Sequence, residues 1–443
     1  MPVVTPVASL SHGMPEMETC SRIPYLPDEV ISKILARVPD VESLFLCAVA
    51  CKPWGRIVAD PAFLRRSAAL SSADGGGDRS SLVGFFLQRR TDDEVKKQFI
   101  WLPRSWKLPA FVPAPGSSAL GSRTRLLTSF LRGGHDVLAG AKPLAARGGL
   151  LLLRLSPHPS MESADTDLHL CVCNILTGKW DLLPPIDAGD FFGGEAPQGY
   201  AVLTAADHGD AADPPLQPED GYSTFFRVFV VGVDRLDGRV DLLALCSGEP
   251  DDWLLSILPL PEVEEGFSLH GCRGAEVFNG SAHWLLQDGL GRFATINVRI
   301  SSGEVSKIHH HHDVRILRGD DSSALLCTSV VEEKKIQKTK LSILLPLRNN
   351  RVTMLTLEDE ESPIIAEQDL PRRMDAVCAG DKNGNTMLVV GPSYPYDGYL
   401  LDLHSGSTTM VEDRGRSLDY KTAVLFDINM VEFMQGRLAC VRQ

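Results

Sequence analysis

Ile23–Arg66 reads IPYLPDEVISKILARVPDVESLFLCAVACKPWGRIVADPAFLRR, and its apolar residues fall at helical spacing. In Leu26–Val38 they recur at Val30, Ile31, Ile34, Leu35 and Val38, the stripe of an amphipathic helix. Pro27 suits a helix start, because the N–H it lacks would have no intrahelical partner there. Asp28 and Glu29 complement the positive end of the helix dipole. Pro39 closes the segment. Asp40 can cap a second helix carrying Val41, Leu44, Phe45, Ala48 and Val49. A third opens at Pro53 and holds Trp54, Ile57 and Val58, and a last turn holds Phe63 and Leu64. A helical module of about 45 residues buries little on its own and usually needs a staple or a partner. No staple is visible. The surplus apolar surface is therefore either a docking surface or a face packed on the rest of the chain, and periodicity alone does not separate the two.

Outward from this stretch the pattern changes. Residues 1–20 carry no regular period and are expected as a tail, with the helical module at 21–67. Ser71-Ser72-Ala73-Asp74-Gly75-Gly76-Gly77-Asp78 reads as flexible connector, placed at 68–82. From 83 to 443 the helical period gives way to short β-type runs joined by hairpin turn signals. Phe225–Val231 and Val240–Leu245 flank Asp237-Gly238. Further turns are Thr177-Gly178, Asn279-Gly280, Ser302-Gly303, Asn349-Asn350, Asn383-Gly384 and Ser405-Gly406. The fold expected is a small all-α module followed by a large all-β domain. Recurrent hairpins over so long a stretch exceed an ordinary sandwich and suit a propeller-like ring of four-stranded blades, six or seven in number. Two segments read as related blade pieces: LHLCVCNILTGKWDLLPPI at 168–186 and VDLLALCSGEPDDWLLSILPLPE at 240–262. Two polar, Pro-rich stretches, Ser156–Asp167 and Asp207–Tyr222, read as long loops.

The opening run resembles an F-box almost from end to end. Leu26-Pro27, the Ile34-Leu35 pair, Cys51-Lys52-x-Trp54 and Asp60-Pro61-x-Phe63-Leu64 stand in that family's order and spacing. The resemblance implies docking on the Skp-type adaptor of a cullin–RING ubiquitin ligase. It implies adaptor contact by Leu26, Pro27, Ile34, Leu35 and Trp54, with Val30, Val38, Leu44 and Val49 shared between core and interface. Val30 and Val38 stand where leucines are common, swaps that keep apolar character while trimming volume, and Leu46 stands where arginine is common. More loosely, the two blade pieces resemble the F-box-associated propeller-like domain of plant-type F-box proteins.

Composition sets the class of function. Hydrophobic residues make up 44 % and charged residues 23 % of the 443, close to an average soluble chain. The formal charge of −13 argues against a nucleic-acid or anionic-membrane partner. No apolar run approaches the roughly 20 residues that span a bilayer. Ten scattered cysteines and no signal-like start suit a reduced, intracellular protein. Cys171 and Cys173 place two sulfurs on one face of a strand, with no second pair nearby to make a zinc site.

Enzyme-like patterns do not survive inspection. Gly289-x-Gly291-x-x-Ala294 lacks the helix that a dinucleotide fingerprint must open. Asp381-Lys-Asn383-Gly-Asn385 has Thr386 where a calcium loop needs glycine. His309–His312 would alternate across a strand rather than converge on one ion. No catalytic residue, metal or cofactor is expected. The expected function is target recognition within an SCF-type ligase, the target itself unspecified. A β-propeller enzyme and a non-degradative F-box scaffold are the alternatives. Trp180, Trp253, Trp284, Tyr394 and Tyr396 could anchor a target but are more often blade core.

Overall fold

The computed structural model describes residues 26–38 and 41–64 and, between 80 and 429, the strands with some of the turns that join them. Residues 1–25, 65–79, 90–106, 156–166, 208–225, 312–323 and 430–443 are the longest stretches outside it.

The helical module has four pieces: α1 (Asp28–Leu35), α2 (Val41–Ala50), α3 (Lys52–Val58) and α4 (Pro61–Leu64). Pro27 stands at the N-cap of α1, and its carbonyl accepts from Val30 N at 2.9 Å and Ile31 N at 3.1 Å. Asp60 caps α4, its Oδ1 accepting from Ala62 N at 2.8 Å. The proposed cap at Asp40 lies outside the described residues.

The β region is a ring of six blades, each an antiparallel sheet, with the strand nearest the axis given first. Blade 2 runs Lys142–Arg147, Leu150–Arg154, Leu170–Asn174, Trp180–Leu182; blade 3 runs Gly199–Thr204, Phe226–Val233, Val240–Cys246, Leu254–Pro259. Blade 5 runs Leu325–Glu333, Ile336–Leu347, Arg351–Thr356, Ile364–Asp369; blade 6 runs Asp375–Ala379, Thr386–Val390, Gly398–Asp402, Thr408–Met410. Blade 4 has a broken inner strand: Phe267–Leu269 and Glu276–Phe278 both pair with Ser281–Asp288, followed by Phe293–Arg299 and Val305–His311. Blade 1 closes the ring. Its inner strand, Leu418–Asn429, comes from the far end of the chain and pairs with Ser80–Arg89, which continues into Lys107–Pro113 and Arg125–Leu126. Strand Ser80–Arg89 begins within the stretch expected as connector.

All seven turn signals separate neighbouring antiparallel strands. The two blade pieces recognised as related occupy the same place, the third and fourth strands of blades 2 and 3. Of the two long-loop stretches, most residues lie outside the described set; Asp167 and Asp207 are their described ends.

Six buried clusters correspond to six blade-to-blade seams. Tyr200 and Val230 meet Leu152 and Val172 between blades 2 and 3, and Trp284 and Ile296 meet Phe229 and Val231 between blades 3 and 4. The 4–5, 5–6, 6–1 and 1–2 seams follow the same scheme. A strand covered on both faces has no polar side to present. That is why Leu150–Leu153 is an unbroken leucine run and why every residue of Gly199–Thr204 is buried.

Candidate functional site

The first site is on α1. Leu26 stands just before the N-cap residue Pro27, outside the helix, and Val30 and Ile34, four residues apart, share one side of it. They are 50 %, 40 % and 53 % exposed, beside an exposed Pro27. Ile31 and Leu35 lie on the opposite side and are buried. An exposed ion pair, Arg56 Nη2 to Asp28 Oδ2 at 2.9 Å, ties α3 to the start of α1; at the surface such a pair contributes little. Leu46 on α2 is 59 % exposed.

The structure thus divides the nine residues assigned to docking. Leu26, Pro27, Val30 and Ile34 form an open apolar stripe. Val38 and Trp54 are half-buried and pack against the core. Leu35 and Leu44 are fully buried, so in this conformation they support the stripe from behind and present no surface to a partner. For Leu35 this differs from the expected direct contact: one helical residue is a 100° turn, which carries it from Ile34's side into the core. The side chain of Val49 lies outside the described set.

The second site is the axis of the ring. The inner strands of all six blades enclose a cavity of about 180 Å³. Alanines from five blades, among them Ala145, Ala201 and Ala423, keep its wall thin, and Arg147, Glu276, His283 and Asp427 supply its polar part. Arg147 Nε and Nη2 each lie 2.7 Å from Asp207 Oδ1. Asp207 Oδ2 accepts from Thr204 N at 2.9 Å and Thr204 Oγ1 at 3.0 Å. Burial opposes the charge on Asp207, but the Arg147 guanidinium and the Thr204 hydrogen bonds outweigh it and hold its pKa below the ordinary value. Burial likewise opposes the charge on Arg147, and the facing carboxylates overcome it. His283 stands opposite Glu276 in the strand register, with Nε2 3.3 Å from the Phe278 carbonyl oxygen. No sequence signal points to this group, whose members come from four blades; only ring closure brings them together.

The motifs set aside as chemistry sit in blade frameworks. Gly289 and Gly291 fall between Ser281–Asp288 and Phe293–Arg299, and Ala294 pairs with Leu286, so a strand stands where an anion-binding helix would have to be. Asp288 closes that hairpin, accepting from Arg292 N at 2.6 Å and forming an ion pair with the Arg292 guanidinium. Residues 381–385 fall between paired strands of blade 6. His309–His311 lie on the outer strand of blade 4, their side chains outside the described set. Cys171 and Cys173 do share a face, with sulfurs 3.8 Å apart and fully buried. The hydrogen bond to Cys171, with burial, pushes the Cys173 thiol well above its ordinary pKa, which keeps it protonated and unreactive. No group of three or more metal-ligating side chains occurs among the described residues, nor any helix long and apolar enough to cross a membrane. Trp284 is blade core and Trp180 is half-buried; Trp253, Tyr394 and Tyr396 lie outside the described residues.

A small helical module with an open apolar stripe, carried on a six-bladed β-propeller, defines a two-part protein. Residues 23–70 match the F-box-like family model, about a tenth of the chain; the module is an F-box-like domain, and the chain is an F-box protein. No curated protein matches the sequence. Among solved structures, the chain is similar to a mutant of AofleA from Arthrobotrys oligospora, at 10 % identity over 79 % of this chain and 91 % of that one, TM-score 0.36. It is also similar to the β-propeller domain of the trilobed protease from Pyrococcus furiosus, at 10 % identity over 61 % and 69 %, TM-score 0.31. A third is one of two prolyl endopeptidases, at 11 % identity over 68 % of this chain, TM-score 0.31; the chain spans 46 % of that protein's length. Likeness at this level carries no functional meaning.

Proposed function

We propose that this chain is the target-recognition subunit of an SCF-type cullin–RING ubiquitin ligase, acting inside the cell. The observation that carries the reading is the stripe of Leu26, Val30 and Ile34, left open on a module that matches the F-box-like family. Apolar side chains held at this exposure favour burial by a partner at about 25 cal/mol per Å² covered. A Skp-type adaptor is the partner that this family of modules implies. The propeller would hold a protein target, and ubiquitin transfer would follow from raised local concentration, with no bond chemistry by this chain.

The test is binding of a purified Skp-type adaptor to the full chain, beside a Leu26→Ala/Pro27→Ala double variant. The natural chain should bind at a fixed ratio, and the variant should bind at least about thirtyfold more weakly, roughly 2 kcal/mol. A folded natural chain that does not bind would end the reading. A second reading has one observation in its favour: the axial cavity gathers Glu276, His283 and Asp427, groups that acid–base chemistry can use. It requires that Glu276→Gln abolish turnover of a small substrate while adaptor binding is unchanged. A non-degradative scaffold would bind adaptor and target alike yet leave the target's lifetime in cells unaltered.

A further inference from the structure

We propose that the docking helices and blades 1 and 2 form one cooperative unit, in which Phe63 and Leu64 are positioning residues that fix the docking stripe on the ring. One continuous cluster of buried side chains carries the inference. It holds Ile31, Leu35, Leu44, Val58, Phe63 and Leu64 from the helices. Without a break it includes Val83, Phe86, Phe111 and Phe426 of blade 1, and Leu151 and Cys173 of blade 2. Phe63 and Leu64 are 2 % and 0 % exposed although α4 has only four residues. A single helical turn has almost no stability of its own, so its burial must come from what packs around it. A module on a loose tether would instead close its own small core and leave the seam between blades 1 and 2 separate. The two faces of α1 therefore have different tasks: Ile31 and Leu35 fasten the helix inward, while Val30 and Ile34 look out. A target held on the propeller would then stand at a set orientation to the adaptor, rather than within a sphere swept by the connector. This extends the docking proposal and rests on it only in the arm of the test that uses the adaptor.

The test is native-state hydrogen exchange on the full chain with increasing urea. Amides bonded on each side report: Ala59 N to Gly55 O and Leu64 N to Asp60 O in the helices, Ala114 N to Val83 O in blade 1, and Ile175 N to Gly149 O in blade 2. In a cooperative unit the four converge on one opening with one urea slope. Helix amides that reach the limit of their own protection through a smaller opening, with a shallow slope of their own, would overturn the proposal. Adaptor at about 100 times its Kd should slow exchange at Ala114 and Ile175 about a hundredfold as well as in the helices; protection confined to the helices would also overturn it. If the adaptor does not bind, the docking reading falls, and the urea series still decides the coupling. Phe63→Ala should speed exchange at Ala114 and Ile175, with Phe63→Leu restoring most of the protection; a change limited to the helices would contradict the positioning role.

Discussion

Ile34 and Leu35 are neighbours in sequence and opposites in structure, 53 % and 1 % exposed. Ile34→Ala should leave unfolding stability within about 0.5 kcal/mol of the natural chain, as surface substitutions do, while weakening adaptor binding. Leu35→Ala should cost about 2–5 kcal/mol in a denaturant titration, because it empties a closed core position. Equal stability losses from the two would refute the assigned faces of α1. The motif gave both residues to docking, and the helical period set both in one apolar stripe. Which face meets solvent depended on blades 1 and 2, far away in sequence. Arg147 and Asp207, 60 residues apart, were invisible for a similar reason. Because the folded pKa of Asp207 lies below the unfolded one, the unfolded chain binds the extra proton. The pair's stabilisation is thus complete above about pH 4 and is lost as pH falls through the lower folded value. Asp207→Asn should cost on the order of 2 kcal/mol at pH 7, less than a fully buried pair, since the Arg147 side chain keeps 22 % exposure. It should also flatten the acid limb of the stability profile, measured by thermal melts from pH 7 down to 2; a limb as steep as that of the natural chain would show that Asp207 does not shape it.

Elements were legible where their chemistry is local. Asn279-Gly280 links Glu276–Phe278 to Ser281–Asp288 with φ of 48° and 69°, and Phe278 pairs directly with Ser281. This is the two-residue turn with both central residues left-handed, which Asn-Gly suits better than any other pair. A Cβ added at Gly280 meets nothing within 4 Å, so Gly280→Ala isolates the backbone cost. It should destabilise by about 1 kcal/mol in urea titration, with no change in slope. A neutral result would mean that the turn is not held in this conformation. What the turns could not disclose is the break in the inner strand of blade 4. Phe267–Leu269 and Glu276–Phe278 are three residues each, too short for an alternation to register. The unbroken leucines of blade 2 likewise conceal which strand lies inside, since both faces are covered.

The number of blades is a property of the closed ring, and counting hairpins along the chain miscounts it. Strand Ser80–Arg89 looks like the first of its own blade, yet its inner neighbour is Leu418–Asn429, paired from Ser80↔Asn429 to Arg89↔Leu418. Hence a reading of six or seven blades from sequence resolves to six once both ends share a sheet. The closing strand works on two seams at once: Tyr420 and Ala423 pack in the blade 6–1 cluster, and Phe426 and Ile428 in the blade 1–2 cluster that also holds side chains of the N-terminal helices. Phe426 is fully buried, with its ring 5.1 Å from that of Phe86 at 84°, an edge-to-face contact that adds to the area it covers. Phe426→Ala should therefore cost about 3–5 kcal/mol, a large share of the roughly 5–15 kcal/mol that holds a typical domain together. Closure joins residues more than 300 positions apart, so it pays its loop entropy late, and the strand should be among the last parts to fold. An interaction made after the rate-limiting step acts on unfolding, not on folding. In stopped-flow measurements Phe426→Ala should raise the unfolding rate by about a hundredfold or more and leave the refolding rate within a fewfold of natural. A variant that refolds much more slowly while unfolding at the natural rate would place the two ends together early, and the ring would then be assembled around its closing strand instead of completed by it.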